Sequence, residues 1–186
     1  MLDILRIEVV RISQVLDGFR NYASVKELGQ SPVNLSRLIE KLVRLLKPQA
    51  EQQNIQLVTD FSDTAIGTLL ADSVQLEQVL LNLALNGMAA MPDGGTLKFT
   101  VDPLDAAIRI MVSDTGVGIP EHIRSQIFDP YFTTRSDGTG MGLALCDKII
   151  RQHGGSIGFR TGAEFTDESG SVLPGTEFTI SLPRPA

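Results

Sequence analysis

The sequence predicts an α+β fold in which helices layer on one face of a β-sheet, with a long amphipathic helix ahead of it. Three observations carry that expectation. An apolar seam at helical spacing opens the chain. Strand-like alternation and longer helix-like patterns then follow each other to the C-terminus. Two glycine loops, Asp114-Thr115-Gly116-Val117-Gly118 and Gly138-Thr139-Gly140-Met141-Gly142, punctuate the second half, each flanked by a strand or helix pattern.

Leu2, Leu5, Val9, Ile12, Leu16, Phe19 and Ala23 recur in steps of three and four, as in a coiled coil or helix bundle. Ile4, Ile7, Val10 and Val15 widen that face beyond what a two-stranded zipper needs, so a bundle suits it better. Packing of this helix on the following domain is the plainer reading. The stretch 29–32 breaks the pattern. Leu35, Leu38, Ile39, Leu42, Val43, Leu45 and Leu46 then predict a helix that ends at Lys47-Pro48 or continues, kinked, to about Gln53. Ile55, Leu57 and Thr59 alternate as a strand. Asp72 is placed to cap a helix from 73 to about 91, stopped by Pro92-Asp93-Gly94-Gly95. Strands are expected at 96–101 and 107–113, a short helix at 121–127, a helix at 141–153, and strands at 156–160 and 176–182. Residues 162–175, polar and without apolar period, read as an exposed loop.

With 42% hydrophobic and 20% charged residues, the 186-residue chain has the balance of a globular protein that buries a core. A net charge of −6 supplies no electrostatic reason for nucleic acid or an anionic membrane as partner. The lone Cys146 rules out an internal disulfide and a multi-cysteine metal cluster. No stretch is long and apolar enough to span a bilayer, and Asp3, Arg6 and Glu8 argue against a signal peptide. The expected location is cytoplasmic, with a parent protein that could itself be membrane-attached.

Asn82 and Asn86 lie one helical turn apart, so both project from one face. An amide oxygen is a neutral, hard ligand suited to a Mg²⁺ that also takes phosphate oxygens. Asp114, at the end of a strand and the start of a glycine loop, can accept from the exocyclic amine of adenine, where guanine offers a carbonyl. Gly138, Gly140 and Gly142 offer unhindered amides, the last at a helix N-terminus that attracts phosphate. No Walker lysine motif is present, which excludes a P-loop. Phe128 and Phe132 bracket Asp129-Pro130-Tyr131, and Thr133-Thr134-Arg135-Ser136-Asp137 precedes the cradle, together a short lid anchored by aromatics. Arg135 is the nearest cation able to reach phosphate. Taken singly, each feature has an ordinary structural reading: asparagines satisfied by backbone, an Asp-Gly turn, core phenylalanines, a solvated arginine. His122 and His153 lack metal-ligand partners and read as structural. Nothing resembles a Ser/His/Asp or Cys/His nucleophile arrangement.

These segments resemble the sensor histidine kinases, within the Bergerat-fold superfamily that includes gyrase, heat-shock chaperone ATPases and mismatch-repair ATPases. Asn82 to Asn86 looks like the N box, Asp114 to Gly118 the G1 box, Phe128 to Phe132 the F box and Gly138 to Gly142 the G2 box. The resemblance implies a two-layer α/β sandwich with a mixed, mostly antiparallel sheet. It implies ATP and Mg²⁺ as ligands, Asn86 on the metal, and Asn82, Asn86 and Arg135 at the reacting phosphates. It also implies nucleotide contacts from Asp114, Gly116, Gly118, Ile119, Phe128, Phe132, Thr133, Thr134, Gly138, Thr139, Gly140, Met141, Gly142 and Leu143. The run Ile7 to Leu16 is similar to the second helix of the family's dimerisation and phosphotransfer hairpin. Residues 1–30 are then that helix and a linker, and 31–186 the ATP-binding catalytic domain.

The family's acceptor histidine, on the first hairpin helix and followed by an acidic residue, has no counterpart here. The resemblance therefore implies a catalytic module that binds ATP but does not phosphorylate itself, and that serves a histidine-bearing helix outside this chain. Implied partners are that helix, a response regulator receiver domain, and a second copy through the N-terminal helix, with neither nucleic acid nor membrane contact. Two other functions remain open: an ATP-hydrolysing clamp of the gyrase type, and a docking domain that uses nucleotide only to set its lid. Position 82 separates the first of these, because the ATPases carry a water-activating glutamate where this chain has Asn82, which takes no proton from water.

Overall fold

A computed structural model of the chain describes residues 28–61, 69–135, 138–162 and 175–184. The expected N-terminal helix, most of the 162–175 loop, and Ser136 and Asp137 of the lid lie outside them.

Five strands form the main sheet in the order β2-β4-β5-β7-β6: β2 (Ile55–Asp60), β4 (Gly95–Pro103), β5 (Ala107–Asp114), β6 (Ser156–Thr161) and β7 (Thr176–Pro183). Only β2 and β4 run parallel; the remaining pairs are antiparallel. Helices α1 (Leu35–Gln52), α2 (Ser73–Ala89) and α3 (Gly142–Gln152) cover one face. The strand pattern explains the one-sidedness. Ile108, Ile110, Val112 and Asp114 of β5 are buried while their alternating neighbours are half-exposed. Across the register, Val112 sits between Phe99 and Phe178, and Ile110 between Val101 and Ile180, so inward residues stack in continuous rows beneath the helices. Each such side chain fully removed from water contributes about 1.5–3 kcal/mol. On the outer face Glu177 accepts from Ser113 Oγ at 3.1 Å and from Arg160 Nε at 3.1 Å, and Lys98 pairs with Asp60 at 2.6 Å.

Helix α1 starts at Asn34, whose Oδ1 accepts from the Arg37 amide at 2.9 Å, and it continues beyond Pro48. The hydrogen bond that Pro48 forfeits would go to the Arg44 carbonyl on the exposed face, where water can take its place. Helix α2 is capped by Asp72, which accepts from Val74 and Gln75 amides at 3.1 Å each, and it ends at Ala89, two residues short of the expected stop. The short helix at Glu121–Gln126 is of the 3₁₀ type. Two further strands, β1 (Ser31–Val33) and β3 (Leu69–Ala71), pair antiparallel as a separate two-stranded sheet. The sequence reading placed a simple break at 29–32. Three-residue strands are too short to display alternation, and Pro32 is tolerated because a two-stranded ribbon has free edges.

His153 closes α3 onto the start of α2. Its ring is buried, and its Nε2 accepts from the Asp72 amide at 3.0 Å. That acceptor role leaves the proton on Nδ1, which donates to the Ile149 carbonyl at 2.8 Å. Asp72 in turn accepts from the Gly29 amide at 3.3 Å, so one chain of contacts joins the end of α3, the cap of α2 and the segment leading into β1. Replacing His153 with Ala removes both ring bonds and strands a buried amide, which is expected to lower unfolding stability by about 2 kcal/mol. Urea denaturation checks this, and an unchanged midpoint would show that the ring only fills space.

Candidate nucleotide-binding site

Helix α2 presents Asn82 and Asn86 half-buried, one turn apart, while Leu76, Val79, Leu80, Leu83 and Ala84 face the core. Its next residue, Gly87, lets the sheet come close. A Cβ there would sit 2.9 Å from Leu97 Cδ1, 3.2 Å from Asp114 Cβ and 3.4 Å from Asp114 Oδ2. Gly87, the residue after Asn86, therefore lies against Asp114 across the α2–β5 contact, which the sequence separation alone does not reveal. Gly87 was missed in the sequence reading. Its signal was available, since glycine within an otherwise strong helix former costs about 1 kcal/mol and calls for a packing reason.

Asp114 is 4% exposed and accepts from the Gly116 amide at 2.9 Å, with the Thr176 amide as a further donor. Burial raises its pKa to about 6, and the two amides only partly offset that effect. The loop that follows is pinned to α2, because the Val117 amide donates to the Ala90 carbonyl at 3.1 Å. Thr115 tethers the same loop to β4, its Oγ1 accepting from the Thr96 amide at 3.0 Å.

The second glycine loop meets α2 from the other side. The position a Gly142 side chain would take lies 4.0 Å from Asn82 Cγ, and the Asn82 amide also reaches the Cys146 thiol one turn further into α3. Burial pushes that thiol up to about 12, so Cys146 is a neutral packing group. The N-terminus of α3 differs from the other two α-helices: Met141 makes no side-chain cap, whereas Asn34 caps α1 and Asp72 caps α2. With no cap from Met141, its leading amides can take an acceptor, and the helix dipole favours an anion there. Gly140 has φ +68° and backs directly onto the Tyr131 main chain, which keeps lid and cradle together.

Phe128 is half-buried against the core, with ring centroids 6.2 Å from Phe159 and 6.4 Å from Phe178, and Phe132 is half-buried against the same cluster. Both anchor the lid. Thr133, Thr134 and Arg135 are exposed on it, and Thr133 Oγ1 accepts from the Arg135 amide at 3.1 Å. Thr139 Oγ1 accepts from the Met141 amide at 3.4 Å at the mouth of the cradle, and Leu143 packs on the core behind it. Gly118 and Ile119 line an open cleft with Val117, Arg124, Thr161 and Gly175. Along the second half of α2, Gly142 thus lies near Asn82, and Asp114 lies against Gly87 beside Asn86 in the chain, with the lid residues held alongside the cradle. Among the described residues no cluster of three His, Cys, Asp or Glu could hold a metal alone. The Asn86 amide, expected on the metal, carries a neutral, hard oxygen of the kind that Mg²⁺ takes together with nucleotide oxygens. Among the described residues no helix is long and apolar enough to cross a membrane.

A family profile described as histidine kinase-, DNA gyrase B-, and HSP90-like ATPase matches residues 71–186, and the chain belongs to this family. Within it, the resemblances are to sensor kinases. Sensor histidine kinase ZraS of Escherichia coli (strain K12) is 35% identical over 176 residues, covering 95% of this chain and 36% of that protein. The chain therefore spans about a third of that relative's length. The nucleotide-free catalytic domain of histidine kinase ThkA superposes with a TM-score of 0.72 at 30% identity, over 86% of this chain and 97% of that domain. ThkA in complex with response regulator protein TrrA gives 0.76 at 28% identity, over 98% and 50%. Full-length ShkA in complex with AMPPNP gives 0.80 at 26% identity, over 99% and 38%. The mixed five-stranded sheet with helices on one face is the fold of histidine-kinase ATPase domains, as expected from the four motifs.

The raised pKa of Asp114 has two opposed consequences. Above about pH 6 its carboxylate is ionised, the form that the expected adenine contact needs; below that it is protonated. ATP affinity measured by calorimetry is expected to fall about tenfold between pH 7.5 and pH 5, and to become pH-independent in Asp114→Asn. For stability the sign reverses. The folded pKa lies above the unfolded value of 3.8, so the group's contribution is most favourable below 3.8 and is lost as pH rises through about 6. Asp114→Asn is thus expected to stabilise the nucleotide-free protein at pH 7.5 by about 2–3 kcal/mol and much less at pH 4, in urea melts at both pH values.

Proposed function

We propose that this chain is the ATP-binding catalytic module of a two-component sensor histidine kinase, passing the γ-phosphate of ATP to a histidine on a helix outside the chain. The observation that carries this reading is the pairing of Asn82, rather than a carboxylate, with Asn86 beside the buried Asp114. Asn86 would hold Mg²⁺ through its amide oxygen; when bound, the ion supplies neutralisation of phosphate charge. Asp114 accepts from the adenine amine. The amides at the start of α3 and the Arg135 side chain face the phosphates, and the lid anchored by Phe128 and Phe132 folds over them. With no base at position 82 to activate water, the γ-phosphate is kept for an incoming imidazole.

Support for a nucleotide comes from ShkA, described with AMPPNP, and for a response regulator partner from ThkA, described with TrrA. In this reading residues 1–30 are the second hairpin helix and linker, which dimerise with a second copy, and the chain works in the cytoplasm. A gyrase-type ATPase clamp is the second reading, favoured only by the breadth of the family description.

Calorimetric titration of ATP and GTP with and without Mg²⁺, followed by labelled ATP with and without a supplied acceptor hairpin, tests the proposal. Adenine-selective, Mg²⁺-dependent binding and label only on the hairpin are expected. Rapid phosphate release without acceptor would favour the clamp. Asn86→Ala is expected to weaken Mg²⁺-ATP binding at least about tenfold while leaving binding in EDTA unchanged. Equal Mg²⁺ dependence in the variant would remove Asn86 from the metal site.

A further inference from the structure

Thr161 belongs to none of the four nucleotide motifs, yet its hydroxyl joins three separate segments at the site. It is the last residue of β6 and is 1% exposed. Its Oγ1 donates to the Gly175 carbonyl at 2.7 Å and accepts from the Ile119 amide at 3.0 Å. Thr176 Oγ1 lies 3.4 Å away, and because the single Thr161 proton is already committed to Gly175, Thr176 donates. The hydroxyl is thereby saturated. In register, Thr176 sits between Thr161 on one side and Asp114 on the other.

The Asp114–Ile119 loop has anchors at both ends. Val117 ties it to the end of α2 through Ala90, and Ile119 ties its exit to β6 through Thr161. Valine would fill the same volume as Thr161 but cannot accept from Ile119 or hold the start of β7. That start matters for the carboxylate itself, because the Thr176 amide donates to Asp114. We propose that Thr161 is a positioning residue for base recognition: its buried hydroxyl locks the exit of the Asp114 loop onto β7 and so holds the Asp114 carboxylate where it selects adenine. This rests on the adenine role assigned to Asp114 above.

The test is ATP and GTP affinity, by titration in Mg²⁺, for the parent chain, Thr161→Val, Thr161→Ser and Thr161→Ala, each checked for folding by circular dichroism. Val and Ala are expected to bind ATP about tenfold more weakly with GTP affinity unchanged within about twofold, collapsing the ATP:GTP ratio, and Ser is expected to restore it. A parent-like ratio in Val, equal losses for both nucleotides, or a Ser variant that behaves like Ala would each overturn the proposal. If Val does not fold, the Ser and Ala pair, which differ by the hydroxyl alone, decides it. A parent chain that binds both nucleotides equally ends the adenine reading and this inference together; a selective parent with unchanged variants ends this one only.

Discussion

The site exists because α2 lies close against β4 and β5. Its apolar face, from Leu76 to Met88, is buried on the inward rows of the sheet, and that burial sets the depth at which the asparagines emerge. Gly87 sets the closest approach. With no side chain there, Leu97 and the Asp114 side chain come up to the helix backbone, and Asn86 is brought beside a strand terminus 28 residues further along the chain. The far end of the same helix is held by Asp72 and His153. The helix that carries both asparagines is therefore fixed at both ends before any ligand arrives.

Two features of the site work against stability, and they meet at the same place. A buried carboxylate is kept with two amide donors where a fully offset one would need more, and α3 begins without the side-chain cap that α1 and α2 both have. An N-cap is worth about 1 kcal/mol, so its absence at this one terminus is a real cost. In the proposed reading a nucleotide would supply partners to both: an amine for Asp114 and phosphate oxygens for the α3 amides. Such a site gains stability by mass action when occupied, which couples folding to ligand. The strain is local because the surrounding core is continuous from Leu35 on α1 to Leu182 on β7.

Much of this was readable along the chain. Apart from β3, the elements between Leu35 and Pro183 appeared near where periodicity and caps placed them, because each is long enough for its apolar pattern to repeat. The half-buried pair on one face of α2 followed from a four-residue spacing, and the free N-terminus of α3 from glycine before a helical run. Other features left no such trace. β1 and β3 are three residues each and are defined only by pairing with one another across 36 residues of sequence or more. Thr161 looked like any β-branched residue at a strand end, and His153 like a helix-terminal residue. Their roles lie in bonds to Ile119 and Asp72, which no local pattern encodes.

Sequence by itself determined the kinds of chemistry this protein can do. Neutral amides on a helix, one acidic residue entering a glycine loop, a glycine cradle without a lysine, and no residue at position 82 able to activate water are properties of side chains and spacing, and they survive any folding. Tertiary structure decided where those groups meet and how hard each can act. The pKa of Asp114 is a consequence of burial, the close approach of α2 to Asp114 a consequence of Gly87, and the tie of Ile119 to β6 a consequence of one hydroxyl. Spacing along a chain fixes direction within one element, but distance and dielectric between elements arise only when their apolar faces close on a common core.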